Sequence, residues 1–178
     1  MGQGKSRREQ LHTLAVTLVV MCLCLVVWHA PVAWPQVLIY NHTSSVPVGW
    51  YLMLPVGDIE DGDIVGFSVE SEAAQLAVER GWAKPDDVML KEVGALPGEG
   101  FEIDDERGFY VRGKYLGQVQ VFDGQDRAIP HLEPGQYLVE PGQFLPVTMN
   151  PMSYDGRYYG TVPLDNIQFR AVRLDPFE

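Results

Sequence analysis

No charged residue stands between Glu9 and Asp58. Inside that interval residues 13–28 read TLAVTLVVMCLCLVVW. A helix needs roughly 20 apolar residues to cross the hydrocarbon of a bilayer, and the run reaches that length from about residue 11 to about residue 29. Pro31 then ends it. Lys5, Arg7 and Arg8 come first, which places the N-terminus in the cytoplasm and the body of the chain outside. Trp28 and Trp34 suit the outer interface. A cleavable signal peptide has the same order of charge and apolar residues. It also needs small residues at fixed offsets before the cut. Ala30 and Ala33 are spaced wrongly for that and enclose Pro31, and Met21 and Leu23 precede the cysteines where a lipoprotein signal needs a small residue. The expectation is a retained anchor over 11–34, a basic cytoplasmic tail over 1–10 and one extracytoplasmic domain over 35–178.

The formal net charge is −11, and the first ten residues carry +2 of it, which leaves −13 for the rest. An acidic body repels phosphate backbones, so nucleic acid is excluded as a partner. Cys22 and Cys24 are the only cysteines, and positions two apart face different sides of a helix. The body therefore has no disulfide framework and no cysteine-ligated zinc site. It has no H-E-x-x-H pair or clustered histidines either, and no metal or cofactor is expected.

Beyond the anchor, short apolar runs alternate with Gly and Pro. Residues 37–40, 50–54, 63–67, 88–93, 108–111, 118–122, 136–139 and 167–172 read as strands. Turn signals recur at Leu96-Pro97-Gly98 and Glu133-Pro134-Gly135. One helix is expected over 73–80, capped by Ser71, favoured at its start by Glu72 and stopped by Gly81. The fold class is mainly β, antiparallel, with one short helix.

The segment NHTSSVPVGWY, residues 41–51, presents a serine in a restrained setting. Pro47 fixes its own φ and holds Val46 extended, and Gly49 permits a sharp turn. A serine needs a base to become a nucleophile. Spacing leaves a Ser45/His131/Asp155 triad open, although no G-x-S-x-G elbow exists. Lys91 is the other candidate base, inside the apolar run Val88-Met89-Leu90-Lys91-Glu92-Val93. If buried, its pKa falls and it becomes a base near neutral pH; if strand alternation aims it at solvent, it is a surface lysine. The pattern alone favours the surface lysine. A third segment, residues 150–160, holds Ser153, Asp155 and Arg157 in a turn-rich stretch.

These three segments, in this order and behind one anchor, resemble the signal peptidase I superfamily of serine peptidases (S26 type). They are most similar to its TraF-type conjugative-transfer members. Residues 41–51 resemble the block N-x-T-x-S-x-P-x-G-x-Y through Asn41, Thr43, Ser45, Pro47, Gly49 and Tyr51. Residues 90–99 resemble L-K-x-V-x-x-L-P-G-D through Leu90, Lys91, Val93, Leu96, Pro97 and Gly98, with Glu99 in the last place. Residues 153–160 resemble S-x-D-S-R-Y-x-G through Ser153, Asp155, Arg157, Tyr158 and Gly160, with Gly156 in place of the inner Ser. Many relatives carry a basic residue after the lysine; here it is Glu92.

The resemblance implies a signal-peptidase-like β-rich domain and a Ser–Lys dyad, with Ser45 as nucleophile, Lys91 as general base and Ser44 as bystander. It implies an oxyanion hole from the Ser45 N–H and the Thr43 hydroxyl. Ser153 would orient Lys91, and Asp155 with Arg157 would brace the site, with a direct role for Asp155 as the alternative. Substrate would bind extended along a sheet edge, beside Val46 and Pro47, with small side chains next to the cut. The implied partners are an exported precursor peptide or pilin, the bacterial inner membrane and other conjugative-transfer proteins, with the catalytic domain periplasmic. Water would resolve the acyl-enzyme, or the substrate's own amine would, giving a cyclic product. A general signal peptidase of secreted preproteins and a non-catalytic envelope scaffold are the competing expectations.

Overall fold

The computed structural model describes residues 7–29, 37–68, 72–85 and 87–174. The chain divides into two compact units, Met1–Pro35 and Gln36–Glu178. The first contains helix α1, Arg7–His29, which begins at the paired arginines rather than at residue 11. Its described apolar side chains, from Leu11 to Met21, are exposed, and Thr17 returns its hydroxyl to the Thr13 carbonyl at 2.9 Å. Among the described residues, no helix is long and apolar enough to cross a membrane. The side chains of 23–29 and all of 1–6 and 30–36 lie outside the described residues. With them lie Lys5, Cys24, the interfacial Trp28 and Trp34, and the Pro31 end of the expected anchor.

The second unit is antiparallel β throughout its described pairings. Its strands are β1 (Leu38–Asn41), β2 (Gly49–Leu54), β3 (Ile64–Phe67), β4 (Met89–Ala95), β5 (Gly100–Ile103) and β6 (Gly108–Val111). They continue as β7 (Lys114–Gln118), β8 (Gly135–Leu138), β9 (Gln143–Val147), β10 (Val162–Pro163) and β11 (Ile167–Arg173). A seven-stranded sheet has the order β1-β2-β11-β3-β4-β9-β10, and a four-stranded sheet has the order β7-β6-β5-β8.

Strand β4 decides where the chemistry goes. It lies between β3 and β9, with Val65 opposite Lys91 and Val147 opposite Glu92. Alternate residues of a strand point to opposite faces, yet β4 is covered on both. Leu90 packs with Val46, Tyr51, Phe169 and Ala171, while Val93 packs with Val65, Phe67 and Phe144. A strand covered on both faces has no solvent side to offer Lys91, which is 4% exposed. The pairing with β9 shifts register between Val93 and Ala95, where Gly94 leaves room for Val147. That irregularity also tolerates Pro146 opposite Val93, since proline cannot donate to a regular ladder.

Helix α2, Glu72–Glu79, buries Ala77 and ends as expected at Gly81. Gly81 has φ of 73°, its N–H bonds to the Val78 carbonyl, and the Trp82 N–H bonds to the Ala77 carbonyl. These are the paired bonds of a glycine-terminated helix. The expected Ser71 cap lies outside the described residues. Arg80 follows the last turn of the helix. Its guanidinium reaches the 123–128 loop, bonding Asp123 at 3.0 Å and the Ala128 carbonyl at 2.6 Å.

Two further expectations change. The strand expected over 118–122 stops at Gln118, and Phe122 makes only an isolated bridge to Ala128. The Asp123 carboxylate accepts from the backbone N–H groups of Gln125 and Arg127 and from Arg80, so the chain turns there instead of pairing. A second short helix, α3 (Gly156–Tyr159), follows Asp155 in a segment read as an irregular turn.

Gly66 sits opposite Phe169 in the β3–β11 pairing, and the Phe169 ring lies across it. A Cβ at Gly66 would meet ring carbons at 2.2–2.7 Å. Gly66→Ala should destabilise the domain by about 1–3 kcal/mol through overpacking, read as a lowered thermal or urea midpoint. An unchanged midpoint would mean that Phe169 has somewhere else to go.

Candidate active site

The nucleophile turn is held by one side chain. Asn41, buried at the end of β1, donates through Nδ2 to the carbonyls of Thr43 at 2.8 Å, Val46 at 2.9 Å and Pro47 at 3.2 Å. Its Oδ1 accepts from the Thr43 N–H at 3.1 Å and the Thr43 hydroxyl at 2.8 Å. The buried Tyr51 adds a 2.7 Å bond from its hydroxyl to the Pro47 carbonyl. The turn closes at Gly49, which pairs with Asn41 and has φ of 149°, a region side chains disfavour.

Three hydroxyl and amine groups meet beyond this turn. Lys91 Nζ donates to Ser45 Oγ at 2.9 Å and to Ser153 Oγ at 2.6 Å, and the two hydroxyl oxygens are 2.9 Å apart. Ser45 is half-buried, while Lys91 and Ser153 are buried. Burial pushes the Lys91 ammonium down from 10.5 to about 8; the negative charge of Asp155 pulls upward and the Arg157 guanidinium pushes further down. Desolvation is the leading cause, as expected where water is removed without a partner carboxylate in contact.

Asp155 and Arg157 form a pair with no exposed surface. Arg157 Nε donates to Asp155 Oδ1 at 2.8 Å and Nη2 to Oδ2 at 3.0 Å, a two-bond fork. Asp155 also caps α3 by accepting the Arg157 N–H, and Arg157 donates to the Thr148 carbonyl at 2.9 Å. Neither residue touches Ser45 or Lys91 through a described hydrogen bond. Burial pushes the Asp155 carboxyl up, with the Arg157 and Lys91 charges opposing. Gly156 lies between them because a Cβ there would meet the Pro146 carbonyl oxygen at 2.6 Å and a Leu145 methyl at 2.7 Å. The serine of the family pattern does not fit that space.

The cleft beside Ser45 encloses about 600 Å³. Its lining includes Ile39, Thr43, Trp82, Leu90, Phe122 and Tyr154, with Ser45, Lys91 and Ser153 in its wall. Trp82 packs on Tyr154 at 5.2 Å between ring centroids, and the Arg80 guanidinium lies over the Trp82 ring at 5.3 Å.

The expected residues therefore separate into groups. Ser45, Lys91 and Ser153 come together at hydrogen-bond distance. Asp155 and Arg157 stand behind them. Thr43 borders the cleft, but its hydroxyl donates to Asn41 instead of into an oxyanion site. Val46 and Pro47 do not line the cleft: the Val46 side chain belongs to the core with Tyr51 and Leu90, and Pro47 is exposed with its carbonyl held by Tyr51 and Asn41. The alternative base His131 bonds the Ile129 carbonyl through Nδ1 at 2.8 Å, and Asp155 is taken by Arg157. Sequence reasoning assigned no role to Thr148, whose hydroxyl donates to the Ser45 carbonyl, or to Asn150, whose amide bonds Ser44. The only signal for them was the turn chemistry of Asn-Pro.

A protein-family model described as signal peptidase, peptidase S26, matches residues 10–174. The chain belongs to that family. It is a serine peptidase of the signal peptidase kind. Among solved structures, a signal peptidase I from Enterococcus faecalis V583 matches at 18% identity, covering 65% of this chain and 97% of that chain, with a TM-score of 0.37. A search of curated proteins gives no match.

The depressed Lys91 pKa has a consequence for the stability of the peptidase. The folded value lies below the unfolded one, so the unfolded chain binds the extra proton between about 8 and 10.5. Charged Lys91 weakens the fold below about pH 8, and the penalty lifts as pH rises toward 10.5. The displacement corresponds to about 3 kcal/mol. Lys91→Met should stabilise the protein near neutral pH by up to about that amount, because Ser45 and Ser153 already lie within bonding distance of each other. Denaturant titrations of both proteins from pH 7 to 10.5 test this. A Met variant less stable throughout would show that the amine contributes more through its bonds than burial takes away.

Proposed function

We propose that this family member is a membrane-anchored serine endopeptidase that uses a Ser45–Lys91 dyad to process an exported, pilin-like precursor in conjugative transfer. The observation that carries the dyad is the 2.9 Å contact between Lys91 Nζ and Ser45 Oγ, made by an amine buried enough to lose its proton near pH 8. Neutral Lys91 takes the Ser45 proton as Oγ adds to the scissile carbonyl carbon. The resulting ammonium returns a proton to the departing amine as the C–N bond breaks. An ester to Ser45 remains. Water, deprotonated by Lys91, releases an acid from it. If the substrate's own N-terminal amine attacks instead, an amide forms and the product is cyclic.

The anchor reading rests on α1. Within it the sequence of 13–28 is uncharged and largely apolar, which suits a lipid environment, although no described helix is by itself long and apolar enough to cross a membrane. Lys5, Arg7 and Arg8 favour a cytoplasmic N-terminus and a periplasmic peptidase domain at the inner membrane. The assignment to conjugative transfer rests on the N-x-T-x-S-x-P-x-G-x-Y block and its two companions, which resemble TraF-type enzymes. A general signal peptidase would cut a broad panel of precursors; this reading expects cleavage of few, and broad cleavage would replace it.

Ser45→Ala and Lys91→Arg should both fold and both lose processing by several orders of magnitude, since arginine stays charged and cannot act as base. Mass spectrometry of a precursor co-expressed with each variant gives the answer. Full processing by Ser45→Ala would remove the nucleophile assignment. The wild-type kcat/KM should rise with pH through a midpoint near 8 and then level, because only the neutral amine reacts. A rise centred near the ordinary lysine value would mean that Lys91 is not the base.

A further inference from the structure

The mechanism develops negative charge on the substrate carbonyl oxygen, and the two donors that the family resemblance assigns to it are not equally free. The Thr43 hydroxyl is committed to Asn41 Oδ1. The Ser45 backbone N–H has no acceptor among the described residues. That N–H belongs to the Ser44–Ser45 peptide, and the other end of the same peptide is held. Asn150 Nδ2 donates to the Ser44 carbonyl at 3.2 Å and to the Ser44 hydroxyl at 2.7 Å.

The peptide unit is planar, so fixing the direction of its carbonyl also fixes the direction of its N–H. A hydrogen bond accepted by the carbonyl polarises the amide and strengthens the N–H as a donor. The orientation of the Asn150 amide is set by its own turn: Oδ1 accepts the Met152 N–H at 2.9 Å, which leaves Nδ2 for Ser44. The following peptide is held as well, because the Thr148 hydroxyl donates to the Ser45 carbonyl and also accepts the Asn150 N–H at 3.1 Å. Finally, the Asn150 carbonyl accepts the Ser153 N–H at 3.1 Å. One short turn thus holds the peptides on both sides of the nucleophile and presents the hydroxyl bonded to Lys91.

We propose that Asn150 is a positioning residue for oxyanion stabilisation: through the Ser44–Ser45 peptide it aims and strengthens the Ser45 N–H toward the charge of the tetrahedral intermediate. It touches no reacting atom. The inference rests on Ser45 being the nucleophile.

The test uses the full-length protein in detergent and a synthetic precursor peptide with alanine at the small-residue positions beside the cut. Asn150→Ala removes the amide. Asn150→Asp keeps an acceptor for the Met152 N–H, and so the turn, but cannot donate to Ser44. Removing an oxyanion donor outright lowers kcat by about 10²–10³-fold, so losing its support should lower kcat by about ten-fold with KM within about two-fold. In Asn150→Ala, which adds no charge, the pH midpoint near 8 should not move. A peptide aldehyde adds Ser45 Oγ to its carbonyl carbon and places an oxyanion in the same position. Its affinity should fall by the same factor as kcat/KM. Binding of the uncleaved peptide should be equal in Ser45→Ala and in Ser45→Ala with Asn150→Asp.

Unchanged kcat in folded Asn150→Asp would overturn the inference, as would an equal loss of uncleaved-peptide binding. A shifted pH midpoint in the uncharged Asn150→Ala would also overturn it, because Asn150 would then act on Lys91 through Ser153. Full cleavage by Ser45→Ala would instead end the dyad reading itself. An inactive Ser45→Ala beside a fully active Asn150→Asp would end this inference alone.

Discussion

The site depends on keeping a lysine amine out of water without giving it a partner charge. Lys91 is buried on a strand covered on both faces, and its Nζ finds two hydroxyls instead of a carboxylate. Hydroxyls satisfy its hydrogen bonds but do little to favour the ammonium, so desolvation dominates and the pKa falls to about 8. A carboxylate in direct contact would reverse this and leave a charged, non-basic lysine. Asp155 is close enough to pull the pKa upward, but its two oxygens are engaged by Arg157. The positive Arg157 opposes the pull. The pair supplies rigidity near the site with little net charge.

That rigidity matters because the reacting groups come from distant parts of the chain. Ser45 lies in a turn after β1, Lys91 on β4, and Ser153 in a turn after β9. Strand β4 is a fixed platform; the turns are not, and each is ordered by an asparagine standing in for secondary structure. Asn41 satisfies three carbonyls and two donors within the Ser45 turn. Asn150 satisfies its own turn and reaches across to Ser44. Thr148 joins the two systems, since its hydroxyl bonds the Ser45 carbonyl and its carbonyl accepts from Arg157. The buried ion pair thus connects to the nucleophile through one residue.

Part of this arrangement was legible in the sequence. Apolar runs bounded by Gly and Pro located β2, β4, β6 and β11, since they alternate or are covered on both sides. Gly81 ended α2 because only a left-handed residue closes that helix end. Strands β5 and β9 were missed for physical reasons. Outward Gly100 and Glu102 interrupt the apolar pattern of β5, and Pro146 sits inside β9, tolerated only at the register shift. The burial of Lys91 was not legible from alternation, because covering both faces of β4 is a tertiary fact. Periodicity favoured a surface lysine and the resemblance to the family blocks favoured a buried one; Lys91 is buried. The resemblance also placed Val46 and Pro47 at the substrate, where the structure puts one in the core and the other on the surface. Blocks mark positions that matter, and they do not say which way a side chain points.

The departures from the family pattern have their own logic in this packing. Gly156 stands where the family pattern has a serine, and the Pro146 carbonyl and Leu145 close over the start of α3 so tightly that the approach of β9 requires a residue without a Cβ. That approach carries Thr148, one residue past the end of β9, to the Ser45 carbonyl. Glu92 follows the lysine, and the Asp155 carboxylate has Arg157 as its described ion-pair partner. The bracing of the site lies in one buried fork, and Thr148 and Asn150, just past β9, hold the nucleophile's own peptide bonds.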